Sequence, residues 1–124
     1  MTRQDDHSPQ VAVNLLELLI RLDNDHDLLR ELIEIFREEF PRLLQQLREQ
    51  IVRGDMKSVE STAHGLKGML SGLSAMRAAG VAARIEQMGR DRISAGLNEE
   101  VALLAREVEK VLPELDASIS KADS

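Results

Sequence analysis

The feature that most constrains this chain is a set of apolar residues spaced by three and four, recurring in segment after segment. Leu29, Ile33, Phe36, Phe40, Leu43, Leu47 and Ile51 form one such stripe, and Met56, Val59, Ala63, Leu66, Leu70 and Leu73 form a second. Val101, Leu104, Val108, Val111 and Leu115 form another. Steps of three and four keep side chains on one face of a helix but scatter them over both faces of a strand. Two shorter stretches also read as helical. One starts at Ser8-Pro9, with Pro9 at the first helical position, and runs to about Leu22; the other runs from about Ala75 to Gly89 with Met76, Ala79, Ala83 and Ile85 inward. Asp23-Asn24-Asp25 and Arg53-Gly54-Asp55 supply stops and caps, Gly72 and Ser74 loosen the end of a helix, and Ser94 to Asn98 reads as a loop. Pro41 falls inside the helical pattern and is expected to kink it, while Pro113 either kinks the last helix or begins its fraying. Four substantial helices with short connections, after a shorter leading one, predict an all-α fold: an antiparallel four-helix bundle with a short additional N-terminal helix.

With 124 residues, the chain is expected to form a single domain over 1–124, ordered from about 9 to 119, with flexible termini. A formal charge of −6 and the lack of a basic stretch argue against a nucleic-acid partner, since little could neutralise phosphates. The absence of cysteine excludes disulfides and thiolate metal sites. Met1 to Gln10 is polar, without the apolar core of a signal peptide, and no apolar run approaches the roughly 18 residues a membrane span needs. These features predict an acidic cytoplasmic domain without direct membrane contact. A monomer is expected because the stripes can be buried within one chain.

Within the second stripe lies Ala63-His64-Gly65-Leu66-Lys67-Gly68. At about 100° per residue, His64 points roughly 130° away from the centre of the apolar face. Gly68 and Ser61 lie near the opposite pole with Lys57 close by, and Lys67 sits nearer the boundary, one turn on from His64. A lone surface histidine is usually only a solvated side chain. Here, however, Gly65 and Gly68 each cost about 1 kcal/mol relative to alanine in a helix interior, which favours access over helix stability. No carboxylate directly follows the histidine, and no second histidine stands at metal-ligand spacing. A neutral imidazole offers a nitrogen lone pair. With an ammonium nearby, it suits receipt of a phosphoryl group, a transfer that a partner carrying Mg²⁺ could complete.

These residues resemble the histidine-containing phosphotransfer (HPt) domains of bacterial multistep phosphorelays. The family run Ala-His-x-Leu-Lys-Gly matches Ala63 to Gly68 at every defined position. The likeness extends over roughly Asn14 to Arg90, including the long helix with Pro41 and the Gly54-Asp55 turn, and reaches the last helix by pattern alone. The resemblance implies that His64 is the phosphoacceptor through its outer ring nitrogen and that Lys67 balances phosphoryl charge. It further implies that Gly68 leaves room for a docking receiver domain, with Lys57, Ser61, Gly65, Ser71 and Gly72 on the partner-binding face. The family relays phosphate between receiver-domain aspartates. Such a carrier has no kinase activity and no cofactor of its own, the Mg²⁺ being supplied by the receiver. It acts in the cytoplasm, in some cases as the C-terminal domain of a membrane-bound hybrid sensor kinase. One departure concerns the end of the histidine helix: members commonly have glycine ten residues past the histidine, where this chain has Ser74.

Sensor-kinase dimerisation helices differ, with an acidic residue after the histidine and a proline five after; here those positions are Gly65 and Met69. Two other readings stay open: a non-catalytic bundle that docks a receiver, and the phosphoacceptor domain of a chemotaxis-type kinase.

Asp23-Asn24-Asp25-His26-Asp27 invites a calcium reading. However, the sixth loop position is Leu28 where glycine is wanted, and the twelfth, Glu34, falls on the helical pattern. Helix capping is the better account, and no metal site is expected. His7 and His26 have no matched partner and are read as solvated. Arg84, Glu86, Arg90 and Arg92 are read as a solvated mixed-charge face. Met69 falls near the core edge, where it could join a partner-binding apolar patch.

Overall fold

Each helix begins and ends for a local reason. Asn14, Asp25 and Asp55 stand at the N-caps of the first three helices, their side chains accepting the amides of Glu17, Leu28 and Ser58. Gly54 stops the second helix with a left-handed φ of 71°, where a side chain would be strained. In the computed structural model, which describes residues 12–123 with side chains through 119, this gives α1 (Leu15–Arg21), α2 (His26–Arg53), α3 (Met56–Gly72), α4 (Met76–Asp91) and α5 (Leu97–Asp123). Among the described residues there is no strand.

Helices α2 to α5 close a ring in which α2 packs on α3, α3 on α4, α4 on α5 and α5 back on α2. Short turns make consecutive members antiparallel, so the architecture is the four-helix bundle with a short leading helix that the periodicity predicts. The core is built from Leu29, Ile33, Phe36 and Leu47 of α2, Val59, Leu66 and Leu70 of α3, Ile85 of α4, and Leu104, Val108 and Leu115 of α5. Fully burying one such side chain is worth about 1.5–3 kcal/mol. Both aromatic residues, Phe36 and Phe40, sit one turn apart on α2 with ring centroids 5.4 Å apart.

Several details depart from the periodicity. After Phe40 the buried positions of α2 are Leu44, Leu47 and Gln50, while Leu43 and Ile51 are half-buried, because the stripe must follow 3.6 residues per turn. α2 stays helical through Pro41, and α5 stays helical through Pro113 and on to Asp123, past the expected limit near 119. Both prolines are exposed, so the carbonyl each leaves unpartnered can turn to water. The start at Ser8-Pro9 lies outside the described residues, and Ala12 to Asn14 are not helical, so α1 is shorter than expected. Met76, expected inward, is 57% exposed on the first turn of α4, and Leu97, expected in a loop, is buried as the first residue of α5.

The N-terminal segment is tied down at the far end of α3. Glu114 accepts the amides of Ala12 and Val13 at 3.0 and 2.9 Å. Arg21 of α1 donates to the carbonyls of Ser71 and Gly72 and to the Ser74 hydroxyl at 2.9–3.0 Å, and that hydroxyl donates to Glu17 at 2.9 Å. Ser74 holds the left-handed conformation, φ 58°, that glycine adopts freely, and is almost wholly buried. The departure from the family glycine is therefore accommodated by a side-chain clamp, and α3 ends at Gly72. No helix among the described residues is long and apolar enough to cross a membrane.

Candidate functional site

The apolar stripe of α3 fixes the orientation of everything else on that helix. Val59, Ala63, Leu66 and Leu70 are wholly buried, and His64, one residue past Ala63, is turned outward with 68% of its side chain exposed. Lys57, Ser61, Gly65, Gly68 and Gly72 are also exposed, and Ser71 is partly so. The wet face read from the spacing is the wet face of the molecule. A Cβ added at Gly65, Gly68 or Gly72 would meet nothing within 4 Å, so these glycines are not required by packing inside this chain. Beside Gly68 and Gly72 a shallow apolar groove runs between α2 and α3, with Leu32, Ile35 and Met69 on its walls. Met69 is half-buried there, at the core edge as expected.

The facing helix contributes a group that the mixed-charge reading missed. Glu86 is not solvated; only 8% of its side chain is exposed. Its Oε2 lies 2.9 Å from His64 Nδ1 and 3.2 Å from Arg90 Nη2, and its Oε1 lies 2.7 Å from Lys67 Nζ. Arg90 reaches on to Glu60 of α3 at 2.9 Å, whereas Arg84 pairs away from the site with Glu100 of α5. Glu86 stands on the α4 face that packs against α3, in line with Ala79, Ala82 and Gly89, all buried. That three-four-three spacing was the available signal: a carboxylate on a stripe of small buried residues.

The electrostatics follow from the contacts. The hydrogen bond from Lys67, with a smaller contribution from His64, holds the Glu86 carboxyl below the usual carboxylate range despite the opposing effect of burial. Near neutral pH it is ionised and can only accept hydrogen bonds. Nδ1 of His64 must therefore carry the hydrogen it shares with Oε2. In the neutral ring this puts the lone pair on Nε2, the outer nitrogen. The arrangement is an oriented imidazole with a free outer nitrogen, an ammonium one turn away and a carboxylate behind.

Of Asp23 to Asp27, Asp25 caps α2 by accepting the Leu28 amide, and Asp27 pairs with Arg30 at 3.0 Å. His7 lies outside the described residues.

No curated protein and no solved structure matched the chain. The family model for the Hpt domain matches residues 31–121, which include α3, α4 and all but the ends of α2 and α5. A helical bundle that presents an oriented histidine, matched over most of its length, belongs to the Hpt domain family, whose members carry phosphoryl groups on histidine in phosphorelays and interact with receiver domains.

Proposed function

We propose that His64 accepts a phosphoryl group from the aspartyl phosphate of one receiver domain and passes it to the aspartate of another. The observation that carries this reading is the Nδ1 contact with an ionised Glu86, which leaves the outward Nε2 with its lone pair. That lone pair attacks phosphorus. The N–P bond forms as the P–O bond to the aspartate breaks, and the aspartate leaves as a carboxylate with the bonding electrons. Positive charge grows on the ring as this happens, and Glu86 lies where it offsets that charge. Lys67, now bound to Glu86, is close enough in sequence and space to turn its ammonium toward phosphoryl oxygens.

Gly65 and Gly68 keep the approach low for the receiver. The groove walled by Leu32, Ile35 and Met69 gives it an apolar foothold, and Lys57, Ser61, Ser71 and Gly72 complete the contact face. The receiver brings the Mg²⁺, and this chain needs no cofactor and has no kinase activity of its own. It works as a monomer in the cytoplasm, free-standing or as the C-terminal domain of a hybrid sensor kinase.

The test is transfer from a panel of Mg²⁺-loaded phosphorylated receivers to the wild type and to His64→Gln. Acid-labile, base-stable label on the wild type alone supports the relay. Binding without label from any receiver would leave a docking module instead. Gly68→Gln should fold normally and lose most transfer by blocking the approach.

A further inference from the structure

Six of the seven glycines have open space where a Cβ would stand; Gly89 does not. A Cβ there would lie 2.7 Å from the Glu60 amide nitrogen and 3.0 Å from both the Glu60 Cα and the Met56 carbonyl oxygen. These are backbone atoms of α3 and cannot swing aside. Gly89 is buried in the last turn of α4, against the backbone of α3.

We propose that Gly89 is a positioning residue for the phosphoacceptor: it sets the α3–α4 spacing that keeps Glu86 within hydrogen-bonding distance of His64. The inference rests on the reading of His64 given above. The two helices run antiparallel, so the Gly89–Glu60 crossing and the Glu86–His64 contact are neighbours along one interface. Glu86 precedes Gly89 by three residues and His64 follows Glu60 by four, or roughly 4.5 and 6 Å of helix. To restore an ordinary contact near 3.4 Å, a Cβ at 89 must push the helices apart by about 0.7 Å. An equal opening one turn on carries the 2.9 Å Nδ1–Oε2 contact to about 3.6 Å, beyond hydrogen-bonding reach. Glu86 has little freedom to follow, because it is buried and Arg90, on its own helix, holds the same Oε2 at 3.2 Å. Without its carboxylate partner the neutral ring is free to place its hydrogen on Nε2, where it blocks the lone pair.

The experiment compares wild type, Gly89→Ala and the same change on a Gly80→Ala background. Gly80 is exposed on the same helix with open space at its Cβ, so alanine there should strengthen α4 without touching the interface. The primary readout is the His64 tautomer ratio from imidazole nitrogen NMR shifts, which needs no receiver; the second is the transfer rate. Gly89→Ala should shift the ring toward the Nε2–H form and slow transfer about tenfold. On a Glu86→Gln background it should slow transfer no further. A folded Gly89→Ala protein with the wild-type tautomer ratio overturns the proposal. A variant that fails to fold even with Gly80→Ala overturns it as well, since Gly89 then serves the fold alone. If wild-type His64 takes no label from any receiver, the phosphoacceptor reading fails while the tautomer result still reports on Gly89.

Discussion

Two glutamates of the bundle, Glu86 on α4 and Glu107 on α5, are buried to the same degree, each with 8% of its side chain exposed. Their surroundings differ. Glu107 is met by Arg77 at 3.4 Å and Lys110 at 3.3 Å, the outer edge of hydrogen-bonding distance, and both cations reach in from solvent. Glu86 is met at 2.7 Å by a lysine and at 2.9 Å by an imidazole, both from the facing helix. Burial alone therefore does not mark a site. At Glu86 short, directed bonds from a second helix fix the orientation and hydrogen placement of the His64 ring. The charges around Glu107 link α4 to α5 loosely, with no imidazole among them.

Breaking the stronger side of this contrast should have the largest effect. Glu86→Ala removes a charge-assisted bond worth about 1.5–3 kcal/mol, so phosphotransfer to His64 should fall by about 10- to 100-fold, read as the initial rate from a labelled receiver. Glu107→Gln should leave that rate unchanged and alter unfolding free energy by no more than about 1 kcal/mol in a denaturant titration. A rate loss at Glu107 equal to that at Glu86 would erase the distinction.

Acid sharpens it further. Because the folded-state pKa of Glu86 is lowered, the folded protein binds fewer protons at this site than the unfolded chain does between the two values. The stabilisation is complete above the ordinary glutamate range and is lost as pH falls through the folded-state value. The melting-temperature gap between wild type and Glu86→Gln should therefore narrow between pH 7 and about 3.

The smallest effect concerns a third buried polar side chain, Gln50, which is 4% exposed and whose Oε1 has no hydrogen-bond partner among the described residues. Gln50→Met keeps the length and removes the unmet acceptor. It should stabilise the fold by about 1 kcal/mol in denaturant titration without touching transfer.

The parts that could be read in advance depend on single helices. Apolar spacing located the core stripes, and the same arithmetic put His64, Gly65 and Gly68 on the wet face of α3. Asp25 and Asp55 announced their caps in the same way. Relations between helices were harder to read. Glu86 looked solvated because its neighbours in sequence, Arg84 and Arg90, are charged. Its inward direction is decided by how α4 rolls against α3, which brings Ala82 and Gly89 into the interface and turns Met76 out. In the sequence Gly89 is only a helix end, and its constraint exists only through the backbone of Met56 and Glu60 on another helix. By itself Ser74 reads only as a replacement for glycine, since the Arg21 and Glu17 groups that hold it come from more than fifty residues upstream.

The Arg21 clamp also has a practical side. The match to the Hpt family model begins at residue 31, whereas the side chains that seal the far end of the histidine helix, together with the buried Val13 and Leu18, lie before it. A protein trimmed to the matched span would leave the Ser71 and Gly72 carbonyls without their arginine, Ser74 without its fastening and a strip of core uncovered. Expression vectors for this domain are better started upstream of Ala12.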